Sequence, residues 1–149
     1  GCVAERVLDP GGHGRTCQVI LLPAADTLEK TIQKGLALMG QSFHLRIDDS
    51  FETALARGQN IIEYEDVTDT LEVAVAVGYS IFANQHPLID GNKRAGFLAI
   101  MMILQANNLT IDRRALSPES AIAVIEQAAA KTLSEAELTE ALRPYIIST

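Results

Sequence analysis

One nine-residue stretch, His86-Pro87-Leu88-Ile89-Asp90-Gly91-Asn92-Lys93-Arg94, sets a base, a carboxylate, a glycine and two adjacent cations side by side. A histidine titrates near about 6.5, which suits His86 to take a proton from a hydroxyl nucleophile. A single carboxylate such as Asp90 is enough to hold Mg²⁺ when phosphates and water complete its shell. Lys93 and Arg94 stand at the opening of a strongly apolar helix. The helix dipole puts partial positive charge there, and each cation in that first turn costs about 0.3–1 kcal/mol. Two such cations make sense if an anion docks on them, because free helix amides with Lys and Arg form a phosphate cradle. Gly91 allows the tight turn and close backbone approach that this cradle needs. Leu88 and Ile89 are apolar enough to pin the loop to the core. Each residue alone also has a structural explanation. Asp90 could cap the helix, Lys93 and Arg94 could pair with Asp90 or a nearby Glu, and His86 could be a satisfied core histidine. The whole set within nine residues points instead to phosphoryl or nucleotidyl transfer.

Two apolar helices hold this stretch. The first starts at Asp66 or Thr68, repeats Leu71, Val75, Tyr79 and Phe82 at helical spacing, and ends at Asn84. The second runs from Asn92 to about Asn107 through Phe97, Leu98, Ile100, Met101, Met102, Ile103 and Leu104. Both are apolar nearly all round, which predicts burial. Before them, Asp26-Thr27-Leu28-Glu29 reads as a capping box for a helix carrying Leu28, Ile32 and Leu36, stopped by Gly40. A short helix over Asp49–Arg57, with Phe51 and Leu55 inward, is expected to break at Gly58-Gln59-Asn60. After the central pair, Leu109–Ile111 reads as a short extended piece. Ser117-Pro118 opens a helix carrying Ile122, Ile125 and Ala129. Ser134-Glu135-Ala136-Glu137 caps a last helix, with Leu138 and Leu142, that Pro144 ends. The expected fold is all-α. Residues 23–149 form one helical domain behind a poorly patterned segment, residues 1–22. Within that segment Cys17–Leu22 is either a short strand or apolar packing.

At 149 residues with 48% hydrophobic and 21% charged, the chain is long and apolar enough for one packed core. A net charge of −7 and the lack of Trp argue against direct nucleic-acid binding. No apolar run is long enough to span a membrane. The opening residues lack a secretory-signal pattern, and two cysteines, Cys2 and Cys17, make no disulfide framework. A cytoplasmic location is therefore expected. Gly11-Gly12-His13-Gly14 lacks the ending of a P-loop, and His13 and His44 have no second donor at metal-ligand spacing.

The stretch His86–Arg94 resembles the active-site motif of the Fic/Doc (Fido) family, and its wording is closest to the Doc, or death-on-curing, branch. The likeness extends back through Ile62–Val73 and forward to about Asn108, covering roughly residues 45–145, with the last two helices matching only in type. It implies the all-α Fido fold, ATP as substrate and Mg²⁺ as cofactor. It implies that His86 is the catalytic base toward a Ser, Thr or Tyr hydroxyl, that Asp90 binds Mg²⁺, and that Gly91, Asn92, Lys93 and Arg94 line the anion hole for the nucleotide phosphates.

Two departures sharpen the assignment. Nucleotidyl-transferring members have Gly at the position of Lys93 and a second Arg at the position of Phe97. Doc-type members share the Lys and lack that Arg. By resemblance they bind ATP the other way round and transfer its γ-phosphate. Leu88 stands where the family usually has Phe, at what reads as a core anchor. The resemblance further implies a toxin that modifies a cytosolic protein, by analogy a translation elongation factor, and that is held in check by an antitoxin protein. Thr68-Asp69-Thr70-Leu71-Glu72-Val73 comes nearest to the family's self-inhibitory [ST]xxxE[GN] helix, but it ends in Val and lies in the core helix. The substrate-docking flap is expected at Gln41–Ser50. A Fic-type protein adenylyltransferase (AMPylation) and a catalytically weak regulatory module are the alternative functions.

Overall fold

A computed structural model describes residues 19–149 fully and, before them, only the strand backbones of residues 6–8 and 14–16. The fold is all-α, as the sequence predicts. Strands β1 (Arg6–Leu8) and β2 (Gly14–Thr16) pair antiparallel, with Arg6 opposite Thr16. The helices are α1 (Ala25–Leu38), α2 (Glu52–Tyr64), α3 (Thr70–Tyr79), α4 (Asn92–Ala106), α5 (Pro118–Ala129) and α6 (Glu135–Leu142). A two-stranded antiparallel ribbon joins β3 (Leu109–Ile111) to β4 (Ile146–Ser148), which follows a 3₁₀ turn over Arg143–Tyr145.

Helices α3 and α4 form the centre. Leu71 and Val73–Gly78 of α3 are buried without a break, as are Ala95–Phe97, Ala99–Met101, Ile103 and Leu104 of α4. Their backbones cross closely where Gly78 faces Gly96. A Cβ on Gly78 would lie 2.7 Å from Ile100 Cγ1 and 3.0 Å from the Gly96 carbonyl oxygen. A Cβ on Gly96 would collide with Phe82 Cδ1 and lie 3.0 Å from the Gly78 oxygen. Helix α1 lays Leu28, Ile32 and Leu36 into the same core.

The local signals succeed where they act locally. Ser117 caps α5 with Pro118 in its first turn, and Ser134 and Glu137 form both bonds of a capping box. They fail at α1 and α2. The cap of α1 is Ala24, with no side-chain bond. Asp26 lies inside the first turn, where its carboxylate accepts from the amide of Thr27. Helix α2 starts at Glu52 and runs straight through Gly58-Gln59-Asn60. Gly58 is not a break but a close approach: a Cβ there would meet Val77 Cγ2 at 2.7 Å. Gln59 and Asn60 are simply exposed on the outer face. Of the Cys17–Leu22 piece, residues 17 and 18 lie outside the described part; residues 19–22 form no strand, and Ile20 and Leu22 pack against the core, which fits the apolar-packing alternative. Leu21 is held instead by Asn107, whose Oδ1 accepts from its amide and whose Nδ2 donates to its carbonyl. The Gly11–His13 part of the glycine cluster also lies outside the described residues.

Replacing Gly96 by Ala is expected to destabilise the fold by about 1–3 kcal/mol despite the better helix propensity of Ala, because Phe82 is buried and cannot retreat. Urea unfolding, followed by far-UV circular dichroism, checks this.

Candidate active site

Helix α3 does not end as an α-helix. It continues as a π-turn over Ser80–Gln85, and the amide of His86 bonds back five residues to the carbonyl of Ile81 at 3.0 Å. Such turns favour functional sites because they disturb the regular ladder. Here the disturbance has a clear product. The next carbonyl, of Phe82, would look to residue 87 for its π-type partner, and that residue is Pro87, which has no N–H. The ring of His86 takes the vacancy, with Nε2 2.8 Å from the Phe82 oxygen. A carbonyl only accepts, so Nε2 carries the proton and Nδ1 carries the lone pair. His86 itself sits in the left-handed region, φ 52°, ψ 61°, and turns the chain out of the helix. A non-glycine residue there is uncommon and marks a position fixed by its surroundings.

The loop after His86 is fastened from both sides. Leu88 is fully buried. Asn92, in the first turn of α4, accepts from the Leu88 amide with Oδ1 at 2.9 Å and donates to the Leu88 carbonyl with Nδ2 at 2.8 Å. From the other side comes Gln41–Ser50, the stretch expected to be the flap. Leu45 and Leu88 form an isolated antiparallel bridge, the Arg46 amide donates to Pro87 O, and the Ile89 amide donates to His44 O. Arg46 Nε also donates to the carbonyls of His86 and Leu88, at 2.9 and 3.3 Å. Gln85 Nε2 donates to Asp49 Oδ1 and to Ser50 O, which ties the far end of the flap to the π-turn. Flap and loop are thus one hydrogen-bonded unit. His44 contributes a backbone carbonyl and stays exposed.

Helix α4 begins at Asn92 behind Gly91, which has φ 89° and supplies no side-chain cap. Asp90 Oδ1 accepts from the amide of Gly91 at 2.9 Å. No acidic residue stands in the first turn of α4; Lys93 and Arg94 do. Lys93 is exposed, and Arg94 Nη1 donates to Gln41 Oε1 at 3.2 Å. Gln41 Nε2 in turn lies a long 3.4 Å from Asp90 Oδ2. Gln41, Phe82, His86 and Ile89 to Arg94 together line a cavity of about 350 Å³.

The six residues singled out by sequence, His86, Asp90, Gly91, Asn92, Lys93 and Arg94, therefore share one cavity. Asn92 differs in kind from the others. Its side-chain amide is spent on Leu88. Gln41, Arg46 and Gln85 were not singled out. No local spacing points to them, because each makes its contacts across a long stretch of sequence. Among the described residues no group of three or more His, Cys, Asp or Glu could hold a metal ion alone. A lone exposed carboxylate with one oxygen only loosely engaged fits Mg²⁺, which keeps water and takes phosphate oxygens.

The model of the Fic/DOC family matches residues 21–104, more than half of the chain and the whole of this site. The chain belongs to the Fic/DOC family. A comparison with curated proteins gave no match. Fic/DOC proteins are commonly transferases that move phosphate or nucleotide onto proteins, and the matched residues include α3, the π-turn, the loop and nearly all of α4. Among the described residues no helix is long and apolar enough to cross a membrane.

Removing the Asn92 side chain orphans the amide of buried Leu88 and leaves its carbonyl only the 3.3 Å bond from Arg46. Asn92→Ala is expected to cost about 1–3 kcal/mol of stability. It should also speed amide hydrogen exchange at Leu88 and Ile89 in the native protein, while exchange in α5 stays unchanged.

Proposed function

We propose that this Fic/DOC protein is a Doc-like protein kinase, and that it transfers the γ-phosphate of ATP to a hydroxyl side chain of another protein. One observation carries the choice of phosphate over nucleotide: Lys93 fills the first turn of α4, while the position of a further motif cation is Phe97, buried in the core. The bulky cation at 93 changes which phosphate the cradle accepts, and nothing at 97 is available to grip a nucleotide in the opposite pose.

In this reading the flap presents the target segment beside the loop. His86 Nδ1 takes the proton of the target hydroxyl as its oxygen bonds to the γ-phosphorus. The bond from that phosphorus to the β–γ bridging oxygen breaks, and ADP leaves. Lys93, Arg94 and the free amides of the first turn of α4 stabilise the charge that gathers on the phosphate oxygens. Asp90 holds Mg²⁺, which when bound neutralises phosphate charge. His86 returns the proton to solvent. Phe82 O keeps the imidazole in one tautomer throughout.

The target is by analogy a translation elongation factor, and the protein acts in the cytoplasm as the toxin of a toxin–antitoxin pair. An antitoxin partner restrains it. Adenylyl transfer is the second reading, favoured by Gly91 and by the base, carboxylate and Arg94 that both chemistries share.

Incubation with Mg²⁺ and bacterial lysate, in parallel with γ-labelled and α-labelled ATP, separates the readings. A protein band from the γ label alone is expected, reduced about 10²–10⁴-fold in His86→Ala. A band from the α label would replace the kinase with an adenylyltransferase. No band from either, together with a cellular phenotype that survives His86→Ala, would leave a binding module.

A further inference from the structure

We propose that Gln41 is a positioning residue that keeps Asp90 and Arg94 from neutralising each other; the proposal rests on reading those two as metal and phosphate ligands.

Asp90 and Arg94 are four residues apart, astride the start of α4. A carboxylate just before a helix and a guanidinium in its first turn can meet and pair. Here they do not. The Asp90 carboxylate takes the Gly91 amide and the Nε2 end of Gln41, and the Arg94 guanidinium donates to the Oε1 end. One amide group stands between the two charges and satisfies both. The amide is neutral and has a donor and an acceptor, so it can hold an anion at one end and a cation at the other without consuming either charge. A direct ion pair would cancel the field that attracts a metal–phosphate ligand and close the cradle.

The placement of Gln41 is built in, not accidental. Helix α1 ends in a Schellman motif: Gly40, at φ 73°, donates to Ala37 O, and the Gln41 amide donates to Leu36 O at 2.8 Å. That fixes the Gln41 backbone to a helix whose Leu28, Ile32 and Leu36 lie in the core. Gly91 is shaped to receive its side chain, because a Cβ there would stand 3.1 Å from Gln41 Cγ. Gly91 is thus needed twice, for its positive φ and for this contact. Charge-assisted bonds to phosphate oxygens and a metal are stronger than the amide's bonds, so an arriving ligand draws Asp90 and Arg94 off Gln41 without a competing ion pair to break.

The test uses the full chain, first without metal or nucleotide. Gln41→Met keeps length and backbone but can bridge nothing, and Gln41→Ala serves as a second variant. The Arg94 guanidinium N–H signal is followed by ¹⁵N NMR, assigned by its loss in Arg94→Lys. In both Gln41 variants it is expected to shift and to exchange several-fold more slowly with water, as Arg94 pairs with Asp90. Adding Asp90→Asn should reverse both changes. A signal that does not respond to Gln41→Met, or a response that survives Asp90→Asn, overturns the proposal. Calorimetric binding of Mn²⁺–ATP is then expected to weaken roughly 10–100-fold in Gln41→Met, the usual cost of losing a group that orients a metal ligand. Tighter binding would also overturn it, since Gln41 would then be occupying the ligand's own place. Wild-type protein that binds no Mn²⁺–ATP would defeat the kinase reading, while the guanidinium signal would still decide the role of Gln41.

Discussion

Everything in the site follows from how closely α3 and α4 approach. Gly78 and Gly96 let the two helix backbones meet with no side chain between them, and Phe82 packs into the space that Gly96 leaves. The crossing brings the end of α3 beside the start of α4. His86, the candidate base at the end of one helix, and the candidate anion site at the start of the other then share a cavity. Neither helix could do this alone. The base must leave its helix at the C-terminal end, where backbone amides are used up, and the anion site needs an N-terminal end, where amides are free. The loop His86–Gly91 only has to bridge two ends that the core has already brought together.

The electrostatics of the cradle run against local stability. The protein is acidic overall, yet the opening turn of its central helix carries two cations and no acid. The rest of the chain uses charge conventionally. Asp69 caps α3, and its other oxygen accepts from Arg143, whose guanidinium is held above its ordinary pKa by hydrogen bonds to Asp69 and Glu140. Arg57 links Glu65 of its own neighbourhood to Glu135 at the start of α6. The first turn of α4 stands apart from these pairs, with two cations and no acid.

The motif His86–Arg94 and the two buried helices were legible because their signals are local: residue type, spacing and an apolar pattern with no polar face. The caps at Ser117 and Ser134 were legible for the same reason. Gly58 was not, since the sequence offers the same letter for a helix breaker and for a close helix contact, and only the position of Val77 tells them apart. Asp26 and Glu29 fit a capping box, but Ala24, still extended at ψ 153°, takes the N-cap position, so the helix begins ahead of them. The π-turn gives no periodicity that four or five residues can reveal. Gln41, Arg46 and Gln85 act across separations of 35 to 53 residues, and nothing nearby in the sequence announces which loop each will meet. The motif residues could be read; the residues that hold their loop in place depend on the tertiary fold.

The π-turn over Ser80–Gln85 has one more implication. A π-turn is an α-helix that has gained a residue without breaking. Each residue added to or taken from a helix rotates everything beyond it by roughly 100°. The extra residue therefore works as a phase setting between two patterns that must both be kept: the buried stripe of α3, counted from its start, and the direction in which His86 leaves its end. Substitution can tune residues within either pattern, but only insertion or deletion can change the phase between them. In this stretch chain length itself is a functional parameter, as specific as the identity of the histidine that it aims.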